Sequence, residues 1–167
     1  DATVVFGRVD SHEELGRALQ RHRVSTWFST PPDALATSLH FDGFLVHRLL
    51  LGSSPVTPAL IKKLRQRMPR VEVFGVYAMT EAIPVALVPG GEVESFGGLG
   101  TLLGVPCAGV EVGIEDDGEI VLSGPRVARY LGESDGGLIH TGDLGHWDEV
   151  GRLVLDGRKK DMILVGA

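Results

Sequence analysis

Cysteine is almost missing from this chain. Cys107 stands alone among 167 residues, which excludes an internal disulfide framework and fits a reducing compartment such as the cytoplasm. Its expected role is that of a small buried filler. Long hydrophobic runs are missing too, so no stretch has the about 20 apolar residues that a membrane span needs, nor does the sequence open on a signal-peptide pattern. Charge of one sign is not concentrated: the formal net charge is −6 and the basic residues are scattered. The densest basic cluster, Lys62-Lys63-Leu64-Arg65-Gln66-Arg67, lies on an expected helix and reads as a solvated face rather than a nucleic-acid surface. Internal repeats and low-complexity tracts are absent, which leaves solenoids aside. What remains is 43% apolar and 23% charged, the balance of a folded globular chain, long enough for one ordinary domain or two small ones.

The first half alternates strand and helix patterns. Thr3-Val4-Val5-Phe6 reads as a strand. Ser11 with Glu14 has capping-box spacing and opens a helix over His12–His22, with Leu15, Ala18 and Leu19 on one face. Val24–Phe28 reads as a strand, and the doubled Pro31-Pro32 places the next helix from about Asp33 to Leu39. Phe44–Leu51 is a third strand, leading into Gly52-Ser53-Ser54-Pro55. Thr57-Pro58 opens an amphipathic helix to Arg67, and Val71–Gly75 forms a buried strand. Units of about twenty residues in this order predict βαβ connections on a parallel sheet.

Beyond Pro89 the pattern changes to short glycine-punctuated β segments: Gly109–Glu115, Glu119–Ser123, Leu138–Thr141 and Arg152–Leu155. Asp116-Asp117-Gly118 is a hairpin signal. The expectation is an α/β fold: a partial parallel sheet with flanking helices over residues 1–92, a small β-barrel-like subdomain over 93–156, and a terminal segment at 157–167. Asp1 is not an initiator methionine, and Ala167 follows the strand-like Met162–Val165. The chain therefore reads as a piece of something longer.

Four stretches carry chemistry. Val76–Glu81 (V-Y-A-M-T-E) follows a buried strand and is expected on a loop, where α/β sheets bind ligands at strand ends. A ring there can stack on a base, a hydroxyl can donate to phosphate, and a carboxylate can hold Mg²⁺. The plainer reading is a strand entering an ordinary turn. His140-Thr141-Gly142-Asp143-Leu144 carries a carboxylate after a glycine, a frequent turn arrangement. Gly157-Arg158-Lys159-Lys160-Asp161 alternates charges, as solvated hairpins do. Gly52-Ser53-Ser54-Pro55 is a small-residue loop that could equally introduce a helix.

Taken together and in order, these stretches resemble the adenylate-forming superfamily: acyl- and aryl-CoA synthetases, adenylation domains of peptide synthetases, and firefly luciferase. The carrying residues are Tyr77-Ala78-Met79-Thr80-Glu81, Gly118-Glu119-Ile120 with Gly124, Thr141-Gly142-Asp143-Leu144, and Gly157-Arg158-Lys159-Lys160-Asp161-Met162-Ile163 with Gly166. The resemblance implies that Tyr77 stacks on adenine and that Gly52, Ser53 and Ser54 border the same base, with Ala78 in the nucleotide loop. It implies Thr80 at the α-phosphate, Glu81 on Mg²⁺, Asp143 on both ribose hydroxyls, Arg158 nearby and Lys160 at a hinge to a lid domain. Glu119 and Gly124 are implied to pin a hairpin near the site.

The implied reaction is ATP-dependent activation of a carboxylic acid as its adenylate, followed by transfer to CoA. A role in fatty acid metabolism in the cytoplasm goes with it. A carrier-protein-loading or β-lactone-forming relative is the neighbouring alternative, since Ile83-Pro84-Val85-Ala86 resembles the β-lactone-forming variant. A non-catalytic nucleotide-binding or interaction module is the alternative of another class. Ala78 stands where the family has glycine, which is expected to narrow the approach or to demand an unusual backbone angle. Neither the family's phosphate loop ending in Pro-Lys-Gly nor its C-terminal lid falls within the sequence, so the missing parts of its own chain are expected partners and the segment alone is expected to adenylate poorly. No nucleic acid and no membrane are expected as partners.

Overall fold

The structure is a computed structural model that describes residues 3–5, 9–41, 45–128 and 138–161. The ends of two expected strands, Phe6 and Phe44, lie outside the described residues, as do the strand-like Met162–Val165 and Gly166. Thr3–Val5 is not strand: Val4 and Val5 are exposed, and among the described residues no strand pairs with them. The chain divides into two compact units, residues 1–75 with 89–94, and residues 76–88 with 95–167.

The first unit is the α/β part. Helix α1 (His12–Arg21) is capped by Ser11, whose Oγ accepts the Glu14 N–H at 3.1 Å. Glu14 reaches back one residue further than a capping box requires and accepts the Asp10 N–H at 3.0 Å. Strand β1 (Thr26–Ser29), helix α2 (Pro31–Thr37), strand β2 (Arg48–Leu51), helix α3 (Pro58–Arg67) and strand β3 (Glu72–Met79) follow. Helix α2 starts two residues before the expected Asp33. Both prolines sit in its first turn, where no intrahelical N–H is needed, behind the Thr30 cap. The strands β1, β2 and β3 are parallel, with Trp27, Leu49 and Val73 in register. Leu49, Leu51, Ile61 and Leu64 are fully buried, so α3 turns its apolar stripe inward as its spacing predicts. Of the basic cluster on α3, Arg65 pairs with Glu94 at 2.6 Å and Arg67 donates to the Leu35 carbonyl at 2.9 Å.

The second unit is antiparallel. The end of β3 lies beside β4 (Ala82–Pro89), followed by the short helix α4 (Gly90–Ser95), whose start belongs to the first unit. Then come β5 (Thr101–Pro106), β6 (Glu111–Ile114), β7 (Glu119–Ser123), β8 (Ile139–Trp147) and β9 (Leu153–Arg158). The spatial order is β4-β5-β9-β8-β7-β6. Ala82, Val85, Ile120, Leu122, Ile139 and Leu153 form its core. Several features differ from the sequence expectation, among them strand β5, which had not been foreseen. Strand β4 contains Pro84, which gives no N–H to a ladder and so disguises a strand. Gly90-Gly91 opens α4 rather than a β segment: a Cβ on Gly90 would crowd the Val73 carbonyl at 3.0 Å, a close approach that glycine makes without displacement. Cys107 is half-buried just beyond β5 rather than fully buried.

The hairpin β8–β9 turns at Asp148, which accepts the backbone N–H groups of Val150 at 3.1 Å and Arg152 at 2.8 Å. Its second oxygen takes the Arg152 Nε at 2.8 Å. This fixes the register that sets Asp143 opposite Arg158 and Trp147 opposite Leu153, with one irregularity at Leu144/Gly145. Gly145 lies so close to β9 that a Cβ would run into the Val154 carbonyl and stand 2.8 Å from Ile120 Cδ1. Gly145→Ala is expected to cost about 1–3 kcal/mol through overpacking, read as a shift of the urea midpoint at unchanged slope. A midpoint equal to wild type would show that β8 and β9 have room to part.

Candidate functional site

A cleft of about 340 Å³ in the second unit gathers most of the sequence-selected residues. Tyr77, Ala78, Met79, Thr80 and Glu81 form one wall, and Ile139, His140, Thr141, Asp143 and Arg158 form the other. The first wall is not the loop expected from the sequence. Val76–Met79 continue strand β3, and only Thr80 and Glu81 turn into β4. Val76, Tyr77, Ala78 and Met79 have strand-forming neighbours on β4, and no residue between Gly75 and Thr80 breaks the ladder. Ala78 is extended and absent from the residues with positive φ, so its methyl costs no backbone strain. The Glu81 carbonyl accepts the Ala128 N–H at 2.6 Å, which anchors the turn.

The centre of the cleft is Asp143, only 2% exposed. Its Oδ2 accepts the Tyr77 hydroxyl at 2.7 Å. Its Oδ1 lies 2.8 Å from Arg158 Nε, in ion-pair contact but without a hydrogen bond aimed at it among the described residues. The pair is built by strand register, since Asp143 on β8 and Arg158 on β9 are direct partners. Thr141 steadies the approach: its Oγ1 accepts the Asp143 N–H at 3.0 Å and donates to the Ile120 carbonyl at 2.7 Å. Burial, followed by the Asp143 carboxylate beside it, pushes the Tyr77 phenol well above its ordinary range, so it is a hydrogen-bond donor at every physiological pH.

Under this centre lies a second set of charges, in which the sequence reading had Glu119 pinning a hairpin and gave Lys159 no role. Glu119, 5% exposed, accepts the Gly142 N–H on Oε1 at 2.9 Å and Lys159 Nζ on Oε2 at 2.7 Å. Lys159 also meets Asp117 at 2.6 Å, and His140 Nδ1 lies 3.5 Å from Glu119. Lys159 holds the Asp117 and Glu119 carboxyls below their usual range, and they hold its ammonium above its own. The burial of Glu119 and its pairing with Lys159, 40 residues further on, leave no periodic trace, whereas Arg158 next door stood out by motif. Glu115, Glu119 and His140 could together bracket a cation, but the Lys159 ammonium already sits on Glu119.

The other selected residues are placed apart. Lys160 is exposed in a single 3₁₀ turn, Lys159–Asp161. Gly52, Ser53 and Ser54 follow β2 in the first unit, where the Gly52 N–H donates to the Ser29 carbonyl at 3.1 Å. Ser53 has φ +69, a left-handed angle uncommon for a non-glycine residue and frequent in functional loops. The first unit also has an open cleft of about 600 Å³ near His12, Trp27 and Asp33. Its polar groups are engaged with one another, His12 with Asp33 at 3.1 Å and Thr30 with Asp33 at 2.7 Å.

A parallel βαβ layer and an antiparallel sheet whose cleft pairs a phenol, a buried carboxylate and a guanidinium define a mixed α/β class of protein. The chain belongs to the AMP-binding enzyme family, which it matches over residues 2–131. It is 32% identical over 167 residues to the 2-succinylbenzoate–CoA ligase of Listeria innocua, covering 92% of this chain and 34% of that protein. It is 28% identical over 188 residues to 4-coumarate-CoA ligase 2 of Narcissus pseudonarcissus, covering 97% of this chain and 33% of that protein. Among solved structures, the O-succinylbenzoate coenzyme A synthetase of Bacillus subtilis in complex with ATP and magnesium ion is similar, with a TM-score of 0.79 at 25% identity. That likeness covers 93% of this chain and 36% of the synthetase. The chain thus spans about a third of the length of the relatives it matches.

Two outcomes are expected from this geometry. Tyr77→Phe strips a buried carboxylate oxygen of its donor and should cost about 1–3 kcal/mol in denaturant unfolding; no loss would mean that Asp143 Oδ2 finds another partner. For the lower cluster the sign follows from the shifts. Carboxyls lowered in the folded state stabilise it fully above about pH 5 and lose this as pH falls through their depressed values. An ammonium raised in the folded state stabilises it fully below about pH 10 and loses this as pH climbs through its raised value. Lys159→Met should therefore be less stable than wild type by a steady margin between those limits, with the margin closing below about pH 4. A margin unchanged at pH 2 would assign the loss to packing of the lysine stem.

Proposed function

We propose that this chain is the nucleotide-handling portion of an enzyme that activates a carboxylic acid as its acyl-adenylate at the expense of ATP and passes the acyl group to CoA. The observation that carries the reading is Asp143 Oδ1, a buried carboxylate oxygen bordering the cleft that has the Arg158 ion pair but, among the described residues, no hydrogen bond aimed at it. Buried acceptors of this kind are costly unless a ligand supplies a donor, and a ribose offers two neighbouring hydroxyls. In this reading the Tyr77 ring, pinned by its hydroxyl, offers a face to adenine. Thr80, exposed at the turn, donates to the α-phosphate. Arg158, half-exposed while Asp143 is buried, keeps donors on the solvent side for the ribose or phosphate. Glu81 would hold Mg²⁺, which takes one or two carboxylates with phosphate oxygens and water, and which would supply charge neutralisation on the phosphates. The donor set fits: a carboxylate and a hydroxyl end the same fixed turn in the cleft.

The substrate carboxylate oxygen then forms a bond to the α-phosphorus as the bond to the β-phosphate oxygen breaks and pyrophosphate leaves. The protein's share is alignment of two anions, worth several kcal/mol of entropy, and oriented donors where charge gathers. In the second step the thiol of CoA gives up its proton to solvent, its sulfur bonds the acyl carbon, and the acyl carbon–phosphate oxygen bond breaks as AMP departs. The names of the relatives support CoA as acceptor and ring-bearing acids over fatty acids as substrates. Residues 1–92, 93–156 and 157–167 would be an α/β part, a β part and a hinge, with a lid turning about Lys160 in a cytoplasmic enzyme of about three times this length.

In the full-length protein, pyrophosphate should be released only when ATP, Mg²⁺ and a carboxylic acid are all present, measured over 2-succinylbenzoate, 4-coumarate and a fatty acid. Asp143→Ala should raise the KM for ATP by about tenfold or more, the scale of one or two charge-assisted hydrogen bonds. Glu81→Ala should lower kcat and shift its Mg²⁺ dependence. Normal adenylation in both variants would dismiss these roles.

A further inference from the structure

Resting on that reading, we propose that Glu119 and Lys159 are positioning residues that set the ribose-reading geometry of the cleft, through a clamp on the two neighbours of the Asp143–Arg158 pair. The placement is specific. Gly142, bonded through its N–H to Glu119 Oε1 at 2.9 Å, is the residue just before Asp143. Lys159, on Glu119 Oε2 at 2.7 Å, is the residue just after Arg158. One carboxylate on β7 therefore grips both strands that carry the pair, at the open end of the hairpin opposite the Asp148 turn. A hairpin held at its turn alone frays at its other end, and here that end bears the groups that must stay in contact.

The clamp has the marks of a built device rather than a stray ion pair. Glu119 is almost wholly buried, and a buried carboxylate survives only with charge and hydrogen bonds around it. Lys159 supplies the charge, a backbone N–H supplies the hydrogen bond, and Asp117 keeps the ammonium in place from the turn before β7. Asp117 in turn accepts the Glu119 N–H at 3.0 Å, so that turn and clamp form one network. Gly142 takes φ +70, a conformation in which its N–H faces the carboxylate and which a side chain would resist. The irregularity between Glu119 and Val121 in the β7–β8 ladder aims the Glu119 side chain at this point, as bulges do beside active sites. His140 and Glu115 face the same carboxylate from β8 and from the end of β6.

The test is the selectivity for ATP over 2′-deoxy-ATP and 3′-deoxy-ATP, measured as kcat/KM ratios in the full-length protein. A residue that merely supports the fold lowers all three rates together and leaves the ratios alone. Lys159→Met and Glu119→Gln should each narrow the ratios by about threefold or more, the worth of one weakened hydrogen bond, mostly through KM. Lys159→Arg, which keeps the charge and offers two donors, should restore them. Lys159 is half-exposed, so its variants carry the test even where Glu119→Gln does not fold. Wild type should discriminate and Asp143→Ala should not. Should wild type use no ATP, or use the three nucleotides equally, the functional reading falls and this one with it. Should wild type and Asp143→Ala behave as stated while Lys159→Met keeps the wild-type ratios, the clamp alone is refuted.

Discussion

A carboxylate removed from water must be neutralised, and the second unit is arranged around doing this for Asp143. Its two oxygens face a phenol from β3 and a guanidinium from β9, so three strands distant in sequence are committed to one point. Register, rather than side-chain reach, delivers the guanidinium, because Asp143 and Arg158 are direct partners across β8 and β9. Attraction inside a low-dielectric pocket is strong but repays desolvation only with good geometry. The backbone that fixes that geometry therefore matters as much as the charged groups.

Two levels of support follow. Thr141 ties the Asp143 backbone to β7 through the Ile120 carbonyl, and Glu119 ties the flanking residues of the pair to the same strand. The core beneath, with Ile120, Leu122, Ile139 and Leu153, excludes water from the underside of these contacts. Burial on one side and a cleft on the other is the condition under which a few polar groups orient a ligand.

Much of this was legible in the sequence. The βαβ order followed from apolar spacing and from capping residues such as Ser11 and Thr57, because local hydrogen bonds decide where helices begin. The hairpin at Asp116-Asp117-Gly118 followed from turn chemistry, and Gly118 does adopt φ +86. The cleft residues Tyr77, Thr80, Glu81, Asp143 and Arg158 stood out by motif, and they line one cavity. What did not show was set by tertiary contact. Strand β4 hides behind Pro84, and α4 opens at Gly90, where a Cβ would crowd the β3 carbonyl of Val73. Tyr77 lies on a strand because β4 pairs beside it, and β4 could not be foreseen. Glu119 and Lys159, 40 residues apart in sequence, meet only once β7, β8 and β9 are laid side by side.

The Asp148 turn has a consequence for how such a chain can change over evolutionary time. Its oxygens hold together the five residues, Asp148–Arg152, that join the two strands, and the pairing from there sets Asp143 opposite Arg158 across the irregularity at Leu144/Gly145. Substitutions around Glu149 and Val150 alter only the solvent side, so their identities are free to drift. Adding or deleting a single residue there would slide one strand past the other and present the wrong face to the cleft. This turn therefore conserves a count rather than a composition, and lineages should vary its letters while keeping its length.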